Sequence, residues 1–299
     1  MKAVRRTDAD VVFIKYFPWC FLLRLLVPRR RMVLDIRTGS VHINPVRRLL
    51  ADAALRLECL FFRHISVISA SLGDRLGITR RKRHILPLGA NPLPDCRPRD
   101  YSQLNLLYVG TFNKRRIDDT LRGLSRFRQA HPEIPVHYRL VGSGPVRETE
   151  RLRQLAGTPL LQNVVELTGY IHHRQLQDYW QWANVGIAYI PISPAYEVQP
   201  PTKTFEYLAA GMSVLATATG ENRRIITHEN GVLIEDTPEA FAAGLWELYQ
   251  RGNHYDCNRI QDSIAMYSWE KIVQNLFREL EAIAVSAPPC RKCPVGDEP

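Results

Sequence analysis

Residues 185–218, VGIAYIPISPAYEVQPPTKTFEYLAAGMSVLATA, constrain the fold more than any other stretch. Val185 to Ile190 is an apolar run of strand length. A loop punctuated by Pro191, Pro194, Pro200 and Pro201 follows it. The spacing then predicts a short helix from Thr202 to Ala210, stopped by Gly211, and a second buried strand from Ser213 to Ala218. Strand, loop, helix, strand in this order is a unit of a parallel sheet in an α/β protein. Such sheets bind ligands beyond the carboxyl ends of their strands, close to helix N-termini. The long loop and the first turn of the helix fall at that end.

Three features of this helix suggest chemistry. Pro200 and Pro201 stiffen its entry without losing a needed donor. Lys203 and Glu206 are three residues apart and share a helical face. Lys203 beside free backbone N–H groups makes an anion site. Glu206, one turn further on, can accept two vicinal hydroxyls. A phosphate next to a diol describes a nucleoside diphosphate with its ribose. Spacing alone is better served by a solvated Lys–Glu pair, worth a few tenths of a kcal/mol. A first-turn Glu also suits the helix dipole.

The run PPTKTFEYLAAGMSVLAT resembles the donor-binding segment of glycosyltransferase family 4, retaining sugar-nucleotide enzymes of GT-B fold. That family's signature is two glutamates separated by seven residues, the second near the start of this helix. Glu206 matches the second; the first falls on Val198, with Glu197 one place before it. The resemblance implies an α/β, GT-B type fold: two Rossmann-like domains with parallel sheets facing a cleft. It also implies that a basic residue after the first strand of the second domain binds the diphosphate together with Lys203. Lys114 and Arg115, after LNLLYVG and its terminal Gly110, both qualify. The expected catalytic set is therefore Lys203, Glu206, Arg115 and Lys114. The expected donor-binding set adds Gly110, Thr111, Gly142, Gly144, Tyr170, Ile171, Glu197, Gln199, Pro200, Thr202 and Thr204. Gly142-Ser143-Gly144 follows a strand and precedes a helix, a weak nucleotide signal that this context strengthens. His172 and His173 are adjacent, so they do not converge on one ion and read as surface or helix-start residues. No metal or cofactor is expected beyond a UDP- or GDP-linked sugar as co-substrate.

Charge is distributed unevenly. The first 100 residues contain 20 Lys and Arg against 8 Asp and Glu, whereas the whole chain of 299 residues has a net charge of +10. The basic excess lies entirely in the first third and suits an acidic partner such as anionic lipid or a phosphorylated acceptor. No nucleic-acid-binding motif accompanies it, so nucleic acid ranks below lipid. Residues 16–27, YFPWCFLLRLLV, are apolar, too short to span a bilayer, and followed by Arg29, Arg30 and Arg31. They fit either a segment lying on an anionic membrane surface or a buried crossover helix. No cleavable leader is expected, and six scattered cysteines suit a reducing compartment. Cys290 and Cys293 have metal-ligand spacing, but no second pair accompanies them. The expected location is cytoplasmic, with peripheral contact to the inner face of the membrane.

The expected domains are 1–95, acceptor-side and Rossmann-like; 96–265, nucleotide-sugar-binding; 266–285, a helix crossing back to the first domain; and 286–299, a flexible tail. In the first domain, strands are expected at Val11–Tyr16, Met32–Ile36, Ile65–Ser69 and Arg83–Leu88. Helices are expected at Phe17–Val27 and Arg47–Arg63, the latter with Leu49, Leu50, Ala53, Leu57 and Leu60 in helical period. Asp35, Arg37 and Thr38, at the end of the second strand, are acceptor-side candidates. This domain lacks the strand, glycine-rich loop and helix with which the resembled family opens, so it is read as incomplete. The expected activity is sugar transfer from a nucleotide donor to a hydroxyl of a glycan or lipid-linked acceptor in envelope polysaccharide synthesis. A non-catalytic sugar-nucleotide-binding or scaffold subunit that needs a partner chain is the alternative.

Overall fold

Short apolar runs form two separate parallel sheets in the computed structural model, which describes residues 9–285 apart from 29, 41, 43 and 95. The expected tail at 286–299, with Cys290 and Cys293, lies outside the described residues, as does Arg29. The chain divides into Met1–Pro87 with Glu270–Pro299, and Leu88–Trp269.

In the first unit, β1 (Val11–Lys15), β2 (Arg31–Ile36), β3 (His64–Val67) and β4 (Arg83–Ile85) lie in the order β1-β2-β3-β4, all parallel. The helix expected at 17–27 is reduced to α1 (Phe21–Leu26). Pro18 and the left-handed Trp19 (φ 71) delay its start. Glu58 holds this turn, accepting from Tyr16 Oη at 3.3 Å and from the Trp19 and Phe21 amides at 3.1 and 3.3 Å. No residue of α1 is buried, so it is not a buried crossover helix. Helix α2 (Pro45–Cys59) starts with Pro45 behind an Asn44 cap, whose Oδ1 accepts from the Val46 and Arg47 amides. It turns Asp52, Leu55, Glu58 and Cys59 inward, and the leucines that carry its helical period face outward. Ser69 caps α3 (Ala70–Arg75).

In the second unit, β5 (Leu104–Val109), α4 (Ile117–Ala130), β6 (Val136–Val141), α5 (Val146–Ala156), β7 (Val165–Gly169), α6 (Gln177–Trp182), β8 (Val185–Ala188), α7 (Thr202–Ala209), β9 (Ser213–Thr217), α8 (Asn222–Ile225) and β10 (Gly231–Ile234) alternate. The strands form one parallel sheet in the order β10-β9-β8-β5-β6-β7. The chain builds outward from β5 through β6 to β7, then returns to the other side of β5 with β8. This is the dinucleotide-fold strand order, and its reversal point lies between β5 and β8. Helices α9 (Pro238–Arg251) and α10 (Cys257–Ser263) complete the unit. α11 (Trp269–Val285) belongs to the first unit from Glu270 onward, where Ile272 and Ile283 are buried and His84 Nδ1 meets Glu279 at 2.7 Å.

The division falls at 87/88 rather than at 95 because the proline-rich segment is stitched to the second unit. The Leu93 amide donates to Ala209 O, and the Ala90 amide to Tyr267 O. Arg99 clips α6 to α7, donating to the carbonyls of Trp180, Gln181, Ala183 and Ala210. Four main-chain bonds from one guanidinium satisfy helix-end carbonyls that would otherwise need water.

Candidate functional site

Glycine draws the carboxyl ends of β5, β6 and β7 together. Gly110 and Gly142, just past β5 and β6, have φ of 142 and 149, a region that L side chains rarely enter. The Gly110 amide donates to Val141 O and the Gly142 amide to Gly169 O, each at 2.8 Å. A Cβ on Gly142 would stand 1.9 Å from Gly110 O, so no side chain fits. A Cβ on Gly110 would stand 2.7 Å from Lys203 Nζ. The missing side chain therefore makes room for an ammonium at the reversal point of the sheet.

Lys203 reaches that place from the first turn of α7, and its Nζ lies 4.6 Å from the centre of the Tyr108 ring. Burial pushes its pKa down to about 8; the Arg115 guanidinium acts in the same direction and Glu206 opposes it. Arg115 stacks its guanidinium 4.8 Å from the centre of the Tyr196 ring. Its Nε and Nη1 are buried with no hydrogen-bond partner among the described residues. Two cations thus stand together with unused donors and partial loss of water, which is costly unless an anion joins them. Burial raises the Glu206 pKa, while His173 and then Lys203 lower it. His173 opens a 3-10 turn (His173–Gln175) whose cap is His172 Nδ1, accepting from the Arg174 amide.

The loop between β8 and α7 delivers one more carboxylate. The Tyr196 and Glu197 amides donate to Ser193 O at 2.9 and 3.0 Å, folding the loop back on itself. Glu197 Oε2 then accepts from the Gly220 amide at 2.8 Å. Glu197 is the acid this loop presents, and Val198 beside it is apolar.

Residues 103–251 match the family model described as "Glycosyl transferases group 1". This segment is a group 1 glycosyltransferase domain. No curated protein sequence matches the chain significantly. Among solved structures, the chain is similar to sucrose-phosphate synthase from Thermosynechococcus elongatus at 20% identity and a TM-score of 0.71, covering 94% of this chain and 76% of that one. A glycosyltransferase from Rickettsia africae is similar at 13% identity and a TM-score of 0.73, covering 96% and 80%. Anabaena Alr3699/HepE in complex with UDP is similar at 15% identity and a TM-score of 0.67, covering 94% and 81%. The fold class is α/β with parallel sheets, shared with GT-B glycosyltransferases, in a chain shorter than these neighbours.

Within the glycosyltransferase domain, Arg115 rather than Lys114 stands beside Lys203. Lys114 is exposed and lines a separate depression of about 200 Å³ with Asp118 and Arg151. Thr204 is also displaced from the expected set. Its side chain is fully buried and donates to Asn222 Oδ1 at 2.9 Å, while Asn222 Nδ2 donates to Thr217 O. It ties α7 to α8 and offers nothing to a ligand. Thr202 is exposed at the start of α7, Gln199 is half-buried and Pro200 buried. Thr111 is exposed, and its carbonyl accepts from Tyr108 Oη at 2.6 Å. Gly144 lies against Phe112. Tyr170 is exposed, whereas Ile171 packs against the core. In the first unit, Asp35 lies within β2, not beyond it, and is buried against Arg37 Nε at 2.8 Å. Arg37 also donates to Leu86 O, so this pair is engaged with its own unit; Thr38 is exposed.

Tyr108, Tyr196 and His173 are absent from the expected set. No motif marks the two tyrosines, because their part is to stack against cations delivered by other segments. Among the described residues, no group of three or more His, Cys, Asp or Glu side chains is placed to hold a metal ion.

Proposed function

We propose that the chain transfers a glycosyl group from a nucleoside-diphosphate sugar to a hydroxyl acceptor, using Lys203 and Arg115 to receive the diphosphate. The observation that carries this reading is the pairing of those two cations at the sheet's reversal point, with two Arg115 nitrogens unpartnered. In the reaction, the bond between the sugar C1 and the diphosphate oxygen breaks and a bond from C1 to the acceptor oxygen forms. The acceptor proton is released, and the diphosphate leaves with the negative charge. Fixed cations aimed at that oxygen favour the transition state more than the ground state, because charge develops there. The amides at the start of α7 add to the field.

Glu206 would accept the ribose hydroxyls, and its raised pKa is expected to return toward the usual carboxylate range when those hydroxyls donate to it. Tyr170 and Ile171 would lie against the base. Glu197 would face the sugar. Retention of anomeric configuration, metal independence, an envelope saccharide or lipid-linked acceptor and a cytoplasmic site of action complete the reading. They are supported by the resemblance of residues 200–217 and, for a uridine donor, by the UDP held by the Anabaena neighbour.

Calorimetric titration with UDP and with GDP, for wild type and Glu206→Ala, tests the reading. Binding of one nucleotide that the substitution abolishes would establish the donor site and identify the base. Failure of both to bind at millimolar concentration would overturn the reading for this chain alone. It would leave the alternative, a subunit that acts with a partner chain.

A further inference from the structure

The outward side of α2 is apolar along its full length. At 100° per residue, Val46, Leu49, Leu50, Leu57 and Leu60 fall within about 60° of one line down the helix. All five are between 62% and 69% exposed, although four are leucines that a packed helix would turn inward. The core-facing residues, Asp52, Leu55, Glu58 and Cys59, lie on the opposite side. The helix therefore has a second, fully solvent-facing apolar stripe. It continues into α1 and the turn before it. The Phe21 and Phe61 rings lie tilted at 5.2 Å, Trp19 lies 6.0 Å from Phe21, and Trp19, Leu22, Leu25 and Leu26 are exposed. A contiguous apolar surface of this kind marks an interaction site.

Charge decides what covers it. Both acids of α2 are turned away from the stripe and engaged: Asp52 with Arg75 at 2.6 Å and the Ser40 amide, Glu58 with Tyr16, Trp19 and Phe21. The exposed charged residues of α2 flanking the stripe, Arg47 and Arg56, are cationic, and exposed Arg63 follows four residues after the helix. A second copy docked stripe to stripe would bring these arginines against their own equivalents. An apolar stripe rimmed only by cations matches instead a bilayer interface, with acyl chains beneath and anionic headgroups around it.

We propose that α2, with α1 alongside, seats this protein on an anionic lipid surface. The inference stands on the first unit alone and does not depend on the donor site. Flotation of the full chain with phosphatidylcholine vesicles, with and without phosphatidylglycerol, tests it. Wild type is expected to float with anionic vesicles and much less with neutral ones. Leu50→Gln with Leu57→Gln is expected to reduce partitioning about tenfold or more, since both side chains leave the apolar phase. Arg47→Glu with Arg63→Glu is expected to remove the preference for phosphatidylglycerol. All four positions are exposed, so thermal midpoints are expected to hold, and UDP titration on the same preparations reads the donor site separately. Wild type remaining with the unfloated fraction, or both variants floating like wild type, would overturn the proposal. So would a solution dimer that Leu57→Gln converts to monomer, which would assign the stripe to a second copy.

Discussion

α4 and α2 are helices of similar length, 14 and 15 residues, and both carry apolar residues at intervals of three and four. In α4, Leu121, Leu124 and Phe127 are completely buried in the core of the second unit. In α2, Leu49, Leu50, Leu57 and Leu60 face water, and Asp52 and Glu58 occupy the inner side. Period alone identifies a helix and its apolar side; it does not say what that side meets. The two units differ in the same sense. The glycosyltransferase domain returns its chain across β5, and its central strands β5 and β8 are buried along almost their whole length. The first unit runs its four strands in sequence order, and its end strand β1 buries only Ile14.

The comparison breaks most visibly under truncation. Leu124→Ala should cost about 2–5 kcal/mol of stability, the usual cost of removing a fully buried leucine side chain. Urea denaturation followed by circular dichroism measures it. A cost below about 1 kcal/mol would mean that α4 packs more loosely than it does here.

The second-largest effect separates ligand binding from folding within the glycosyltransferase domain. Lys203→Met should weaken UDP binding by about 2 kcal/mol or more, since charge-assisted bonds to phosphate are lost. Its thermal midpoint should stay or rise. The sign follows from the pKa: burial lowers the folded-state value from 10.5 to about 8. The folded domain therefore carries a penalty at neutral pH, where the lysine is charged in both states, and that penalty fades as pH rises from about 8 toward 10.5. Removing the charge removes the penalty. By the same linkage, UDP affinity in wild type should fall as pH rises above about 8, and Lys203→Met should show no such fall. A pH series of titrations decides between this and a lysine that only packs.

Much of the arrangement around Lys203 is legible in residues 185–218, because strand length, prolines, a stop glycine and Lys203 all act locally. Which of Lys114 and Arg115 joins Lys203 is not legible. Arg116 takes a left-handed conformation (φ 53) and Lys114 another (φ 55), and these turns aim adjacent side chains in different directions. Thr204 shows the same limit. Its place in the PPTKTFEY run suggests a ligand contact, and only the approach of α8, eighteen residues on, turns it into a structural tie. α4 escaped because Arg122, Ser125, Arg126 and Arg128 interrupt an apolar set that is nonetheless regular: Ile117, Leu121, Leu124, Phe127.

Thr204→Val sharpens this distinction with a smaller effect. The shape is kept, but buried Asn222 Oδ1 loses its donor, so about 1–3 kcal/mol of stability should be lost. UDP affinity should change less than twofold, read by titration below the unfolding transition. A large loss of affinity at unchanged stability would return Thr204 to the ligand contacts.

The smallest expected effect bears most directly on the contrast between α4 and α2. Leu57→Ala removes the same atoms as Leu124→Ala from a helix of similar length. Leu57 is 62% exposed and leaves no cavity when truncated, so the change should lie within about 0.5 kcal/mol. Alanine's higher helix propensity should offset part of even that. Urea denaturation of both variants in one buffer, without lipid, gives the ratio of the two costs. A Leu57→Ala cost approaching that of Leu124→Ala would mean that the stripe is already covered in solution, by a second copy of the chain. A near-zero cost in buffer, together with added protection of wild type but not Leu57→Gln by anionic vesicles, would place the burial of α2 at the lipid surface.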